Sequence, residues 1–160
     1  MKIIPNFISP DIFKKMQDTV FASDFPFYYS PSITEGDAGK DFMFCHLLFH
    51  EQKQTSSYFN SLLTPLLGRL NFNYLIRAKL NCYTRKSKYI YTALHRDYPT
   101  PHSVALFSFN TCNGFTYFED TKEKIKSVAN QVVIFDGQRK HCSVSQTDTN
   151  LRININLDIS

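Results

Sequence analysis

The chain has 160 residues, 42% of them hydrophobic and 15% aromatic, and a net charge of +4. That length suits one domain with a real core and leaves no room for a second, and the apolar content excludes a disordered chain. No run approaches the roughly 18 apolar residues of a membrane-spanning helix. The opening Met1-Lys2-Ile3-Ile4-Pro5-Asn6 lacks the long apolar region of a secretory leader, so a cytoplasmic location is the default expectation.

The positive charges are scattered, in small clusters at Arg85-Lys86-Ser87-Lys88, 122–126 and Arg139-Lys140. Such clusters read as a solvated surface with a weak preference for anions. No basic helix or aromatic ribonucleoprotein signature appears, so nucleic acid is not an expected partner. Cys45, Cys82, Cys112 and Cys142 form no CxxC pair and no zinc spacing, which predicts free thiols in a reducing compartment.

In chain order, residues 1–8 read as a short strand. Ser9-Pro10-Asp11 is a helix start, with a capping serine, proline in the first turn and an acid at the positive dipole end. Ile12, Phe13, Met16, Val20 and Phe21 then recur at helical spacing. Residues 24–41 carry Pro26, Pro31, Gly36 and Gly39 and predict a long, mobile loop near a site mouth. A second helix is expected over 55–70, with Tyr58, Phe59, Leu62, Leu63, Leu66, Leu67 and Leu70 on one stripe and Pro65 kinking it. Beyond Asn73 the pattern changes to strands at about 74–83, 89–95, 103–109, 115–118, 131–135, 141–145 and 151–158.

Helices followed by strands predict an α+β domain, with helices on one face of an antiparallel sandwich. Two segments divide their residues sharply. From 76 to 83, Arg77, Lys79, Asn81 and Tyr83 alternate with Ile76, Ala78, Leu80 and Cys82; from 151 to 157, Arg152, Asn154 and Asn156 alternate with Leu151, Ile153, Ile155 and Leu157. The helical stripes need an apolar partner. The favoured arrangement is therefore a double-stranded β-helix of the jelly-roll or cupin type, with the two N-terminal helices packed on the apolar face of the major sheet. Its polar faces line an internal pocket. Residues 1–72 would be helical support and 73–160 the β-helix core of a single domain.

Tyr91-Thr92-Ala93-Leu94-His95-Arg96-Asp97 ends in a histidine and an aspartate two residues apart, which on a strand leave the same face. Pro99 and Pro101 end any strand just beyond. His141, after the apolar run 132–135 and the turn-like Asp136-Gly137-Gln138, is the candidate third ligand. Two histidines and a carboxylate bind Fe(II) on one side and leave positions open. Cys142 is next to His141 and should face the other way. Arg152 lies eleven residues after His141 and begins the most strictly alternating segment of the chain. A guanidinium there suits the far carboxylate of a dicarboxylate co-substrate. His46 and His50 have helical i, i+4 spacing, but their surroundings do not read as a helix; with His102 they are expected to be structural or exposed.

With these residues in place, the sequence resembles the Fe(II)- and 2-oxoglutarate-dependent oxygenases, in particular small prolyl-hydroxylase-like members found in bacteriophages. His95-Arg96-Asp97 is similar to the family's HxD motif, His141 to its distal ligand, and Arg152 to the residue gripping the 2-oxoglutarate tail. Asn81-Cys82-Tyr83 resembles the strand whose tyrosine bonds 2-oxoglutarate. Asn113-Gly114-Phe115-Thr116 resembles a glycine-glycine-threonine turn, with Phe115 departing from the second glycine, which puts the turn and the access beside it in question. The resemblance covers about residues 74–158. It implies Fe(II) on His95, Asp97 and His141, 2-oxoglutarate held by Arg152 and Tyr83, and O₂ as oxidant. It also implies hydroxylation of a substrate C–H bond with release of succinate and CO₂, in the host cytoplasm if phage-encoded. Arg77, Lys79, Asn81 and Asn154 are candidate pocket residues. The substrate, protein or small molecule, and the oligomeric state are not legible. A small-metabolite or nucleotide hydroxylase, and a non-catalytic jelly-roll binding or structural protein, remain the alternatives.

Overall fold

In the computed structural model, which describes residues 1–34 and 41–160, the first helix forms where the sequence places it, as α1 (Pro10–Phe21). Ser9 occupies the cap position with an extended backbone, and its carbonyl accepts the Phe13 N–H at 2.9 Å. Its side chain makes no cap bond, contrary to expectation. Met16 and Val20 supply the buried stripe.

The second expected helix is not continuous. It forms two single turns, α2 (Phe59–Leu62) and α3 (Thr64–Leu67), with Pro65 in the first turn of α3. Proline has no N–H to donate into the preceding turn, so the helix stops at Leu63 and restarts. Leu62, Leu63 and Leu66 are nevertheless buried.

The remainder is mostly antiparallel sheet. The strands are β1 (Lys2–Ile4), β2 (Tyr28–Ser30), β3 (Met43–His50), β4 (Lys53–Gln54), β5 (Leu75–Thr84), β6 (Ser103–Ser108), β7 (Phe115–Phe118), β8 (Lys124–Lys126), β9 (Gln131–Asp136), β10 (His141–Val144) and β11 (Leu151–Ile159). An eight-stranded sheet runs β1-β9-β6-β11-β5-β3-β2, with β4 beside β3; a three-stranded sheet runs β10-β7-β8. The first 72 residues are therefore more than helical support, since four of their strands join the large sheet. Among the described residues no helix is long and apolar enough to cross a membrane.

Four points of the strand reading need correction. β3 was not legible as a strand because Met43-Phe44-Cys45-His46-Leu47-Leu48-Phe49-His50 is apolar on both faces, as a covered interior strand is, and a register shift between Leu47 and Phe49 breaks what alternation it has. β2 lies inside the stretch 24–41 expected as loop; the portion of that loop at 35–40 lies outside the described residues. Residues 89–95 form no strand; they meet β10 through isolated bridges at Tyr91–Val144 and His95–His141 and a bond from Ser143 N to Thr92 Oγ1 at 3.1 Å. The N-terminal strand is shorter than 1–8. Beyond it, Asn130, in the left-handed region at φ 57°, bonds the backbone N–H and carbonyl of Ile8 at 3.1 and 2.8 Å through its side chain.

The division of β5 and β11 holds. Ala78, Leu80, Cys82, Ile153, Ile155 and Leu157 join Met16, Val20, Leu62, Leu63 and Leu66 in one core cluster on the outer face of the large sheet. Each fully buried aliphatic side chain there contributes about 1.5–3 kcal/mol. Because residues alternate, fixing that face turns Arg77, Lys79, Asn81, Tyr83, Arg152, Asn154, Asn156 and Asp158 to the opposite one. Their cross-strand register is Tyr83 with Arg152, Asn81 with Asn154, Lys79 with Asn156, and Arg77 with Asp158.

Candidate metal centre and its cavity

The polar face opens onto a cavity of about 590 Å³. Its lining includes His95, Asp97, His141, Arg152 and Tyr83, together with Arg77, Lys79, Asn81, Asn154 and Asn156. Every candidate drawn from the sequence meets there. Ser30, Ser32, Ile33 and Thr34 also line it, which puts this segment of the 24–41 stretch at the cavity, as anticipated.

His95 and His141 are bridged by reciprocal backbone bonds, His95 N to His141 O at 3.0 Å and His141 N to His95 O at 3.1 Å. With the Tyr91–Val144 bridge, this pairing lays 91–95 antiparallel to β10. Ligand atoms of His95, Asp97 and His141 all lie within 4.8 Å of one another. Each imidazole is oriented by its own backbone: His95 Nδ1 donates to Ala93 O at 3.1 Å, and His141 Nδ1 to Arg139 O at 2.9 Å. A carbonyl only accepts, so both Nδ1 atoms carry a proton, and in the neutral rings both Nε2 lone pairs are free. Asp97 Oδ2 is buried without a hydrogen bond, and His141 Nε2 is 3.5 Å away. With the ring neutral, lone pair faces lone pair across that gap. A cation between them relieves the opposition, so the residues fit a divalent metal.

Burial, then His141, push the His95 imidazole below its ordinary value. Burial opposes the charge on Asp97, but His141 in its protonated form, donating to the carboxylate, and Arg77 outweigh it and hold its carboxyl well below the carboxylate range. Asp97 Oδ1 accepts from Arg77 Nη2 and Asn156 Nδ2, both at 3.1 Å. The carboxylate is thus aimed by two neighbours with its other oxygen left toward the histidines. As expected from alternation, Cys142 turns away from the cavity and packs with Phe115 and Val144. The four cysteines form no disulfide.

Arg77 is not a free pocket cation. Besides Asp97 it pairs Asp158 at 2.8 Å. Asp158 is fully buried, and desolvation followed by the Asp97 charge pushes its carboxyl up to about 6 despite that pair. His102 lies beside it, Nε2 to Oδ1 3.8 Å, and is buried rather than exposed. Replacing Arg77 by Met strands two carboxylates in the interior. We expect urea unfolding to show a loss of about 3 kcal/mol and Mn(II) affinity to fall roughly tenfold. His102 in turn requires Gly137, because a Cβ there would sit 2.1 Å from its Nε2. Gly137→Ala should cost about 1–3 kcal/mol in the same assay, part of it recovered in the double variant with His102→Ala.

Arg152 is 2% exposed and donates to Ser143 Oγ at 3.0 Å, Val144 O at 3.2 Å and Phe115 O at 3.4 Å. Its guanidinium lies 5.4 Å from the Tyr83 ring centroid. Tyr83 bonds Ser143. Among the described residues no carboxylate pairs Arg152, its Nε is buried without a partner, and burial depresses its pKa. A buried, unneutralised guanidinium opening on a cavity is a receptor for an anion. Gly114 permits its approach, since a Cβ there would meet Arg152 Cδ at 3.1 Å. Phe115, the departure noted in that turn, packs against Tyr89 and Tyr91 and does not line the cavity.

His46 and His50 lie on β3, not on a helix. His46 is buried, with Nδ1 2.6 Å from Pro26 O and Nε2 2.7 Å from Ser56 Oγ, a structural role. Sequence reasoning missed Asp158 and left open whether His102 was structural or exposed. Asp158 continues the alternation 152, 154, 156 and was in reach of that signal; His102, outside any periodic segment, offered none.

No protein-family model and no curated protein sequence matches the chain. Solved structures do match. A 2OG-Fe(II) oxygenase family oxidoreductase from Burkholderia pseudomallei aligns with TM-score 0.66 at 10% identity, covering 99% of this chain and 84% of its own. A prolyl hydroxylase from Trichoplax adhaerens, in complex with a hypoxia inducible factor peptide fragment, aligns with TM-score 0.65 at 15% identity over 99% and 82%. A viral collagen prolyl hydroxylase from Paramecium Bursaria Chlorella virus-1, a 2OG complex, aligns with TM-score 0.61 at 12% identity over 99% and 94%. At such identities the shared property is the architecture: this chain has the jelly-roll fold of the 2OG-Fe(II) oxygenases.

Proposed function

We propose that the chain is a single-domain Fe(II)- and 2-oxoglutarate-dependent dioxygenase, residues 1–160, built as a double-stranded β-helix. His95, Asp97 and His141 would hold the iron, and Arg152 with Tyr83 the far carboxylate of 2-oxoglutarate. The observation that carries this reading is the pairing of an oriented His/Asp/His cluster with a buried guanidinium lacking a carboxylate, both on one cavity. Iron, when bound with 2-oxoglutarate and O₂, supplies hydroxylation of a C–H bond with succinate and CO₂ as co-products. The chain's own residues do the positioning. The Ala93 and Arg139 carbonyls hold both Nδ1 atoms and aim both Nε2 atoms at the cluster, Arg77 and Asn156 keep Asp97 ionised and aimed, and the strand pair β5–β11 fixes the distance from cluster to Arg152.

The peptide complex of the Trichoplax neighbour supports a protein substrate of the prolyl-hydroxylase kind. A small molecule is the second reading, favoured by a cavity of about 590 Å³ with a largely polar lining. Four thiols without a disulfide suit the cytoplasm, the location we propose. Thermal unfolding with Mn(II) as an oxygen-stable probe tests the cofactor reading. Mn(II) and 2-oxoglutarate together should raise the melting temperature by more than the two separate shifts combined, because the co-substrate chelates the bound metal. Shifts that are absent or only additive would count against it.

A further inference from the structure

The four basic residues that line the cavity are Arg77, Lys79, Arg96 and Arg152, and Asp97 is the sole acid among its described lining. Three of the four are accounted for. Arg77 is held between Asp97 and Asp158. Arg152 has the geometry to take the co-substrate tail. Arg96 is at the surface, its Nε donating to Gln138 O at 2.7 Å. Lys79 is left. It is largely covered, sits on the β5 rung opposite Asn156, which itself bonds Asp97, and lies within electrostatic reach of both Asp97 and His95. Among the described residues its ammonium forms no ion pair.

The charges at this level do not cancel even in the loaded site. A divalent metal is matched by Asp97 and the carboxylate it would chelate, Arg152 by the far carboxylate, and Arg77 by Asp158. One positive charge remains, on Lys79. A covered ammonium without a counter-ion costs stability, and the cost is removed when an anion enters beside it. A single ammonium flanked by the amides of Asn81, Asn154 and Asn156, whose nearest guanidinium, Arg77, is already engaged by Asp97 and Asp158, matches a carboxylate better than a phosphate.

Resting on the oxygenase reading above, we propose that Lys79 is the specificity-determining residue, receiving a carboxylate of the substrate itself and holding the carbon to be oxidised next to the metal cluster. The substrate class is then an acidic one: an aspartyl or glutamyl residue of a peptide, or a small carboxylic acid.

The test uses the full chain loaded with Mn(II) and 2-oxoglutarate, titrated calorimetrically with matched probes. These are aspartate against asparagine and glutamate against glutamine, each free and as the N-acetyl amide. In the wild type, the acid of at least one pair should bind ten or more times tighter than its amide. That preference should shrink to less than twofold in Lys79→Met and survive in part in Lys79→Arg. Affinity for 2-oxoglutarate should stay within threefold throughout. The proposal is overturned by a wild type with no acid preference, or by a preference that persists in Lys79→Met. A tenfold loss of 2-oxoglutarate affinity in Lys79→Met also overturns it, by assigning the ammonium to the co-substrate. Should Lys79→Met not fold, Lys79→Gln replaces it, and the wild-type comparison alone still decides against the proposal if no preference appears. A wild type that binds no 2-oxoglutarate refutes the oxygenase reading separately. The same probe pairs are then measured on the metal-free chain, where the acid preference and its loss in Lys79→Met are again required.

Discussion

Replacing Arg152 by Met should weaken 2-oxoglutarate binding to the Mn(II)-loaded protein by roughly 100-fold or more, since truncating one partner of a buried charge pair costs about 2–5 kcal/mol. The same change should leave the ligand-free protein within about 1 kcal/mol of its original stability in urea, because a desolvated cation without a counter-ion is replaced by an apolar chain of similar volume. The combination separates a receptor from a structural ion. A residue kept for the fold would lose stability and affinity together; Arg152, buried beside Tyr83 with no carboxylate and an unpartnered Nε, should lose only affinity. Arg152→Lys keeps the charge but not the planar fork, and roughly tenfold weakening is expected. Isothermal titration with 2-oxoglutarate and parallel urea curves provide both readings. A fall of several kcal/mol in the ligand-free protein, with affinity little changed, would contradict the assignment.

The second large effect belongs to Asp97. Asp97→Ala should reduce Mn(II) affinity roughly 1000-fold, beyond the 10–100-fold that loss of a group behind a ligand costs. It also alters stability with a defined pH signature. The folded carboxyl is held well below its ordinary value, so its contribution is present above about pH 4 and is lost as the pH falls further. Asp158 has the opposite sign. Its folded pKa of about 6 lies above the unfolded value, so its ionisation lowers stability above that pH, and protonation relieves the loss between about pH 6 and pH 4. The wild type should therefore gain stability from Asp158 on descending through that window, and lose it from Asp97 below. In Asp97→Ala the loss below pH 4 should diminish. The gain between pH 6 and pH 4 should also shrink, because the like charge that helps raise the Asp158 pKa is gone. Thermal unfolding from pH 3 to pH 8 in the absence of metal gives both limbs. A wild-type curve flat across the acid range would show that neither carboxyl is perturbed as described.

The site was more legible in the sequence than the scaffold that presents it. Alternation on 75–83 and 151–159 told which residues share a face, and the helical stripes told which face was covered; together these fixed the polar rungs from Tyr83 and Arg152 downward. Spacing brought His95 and Asp97 to one side and order supplied His141. Segments whose burial is symmetric or whose pairing is sparse gave no signal. β3 is hydrophobic on both faces because it lies inside a sheet between β5 and β2, so period-2 reasoning could not see it. The stretch 89–95 has strand composition, yet it makes only two bridges and owes its course to the His95–His141 contact. The 55–70 stripe was correct as a buried face and wrong as a continuous helix, because the missing N–H of Pro65 outweighed periodicity. The network behind the ligands, Arg77 with Asp158 and His102 under Gly137, depends on residues 35 or more positions apart coming together, and only the fold reveals that.

One anaerobic titration tests the central claim most directly. Fe(II) is added to the metal-free protein with and without 2-oxoglutarate, and the visible spectrum is followed for the weak charge-transfer absorption of a keto acid chelated at iron. The account predicts a band that requires both additions, disappears in His141→Ala and Asp97→Ala, and needs far more 2-oxoglutarate to develop in Arg152→Met. A spectrum without that band, or one unchanged by these substitutions, would contradict the assignment of the cavity as an iron and 2-oxoglutarate site.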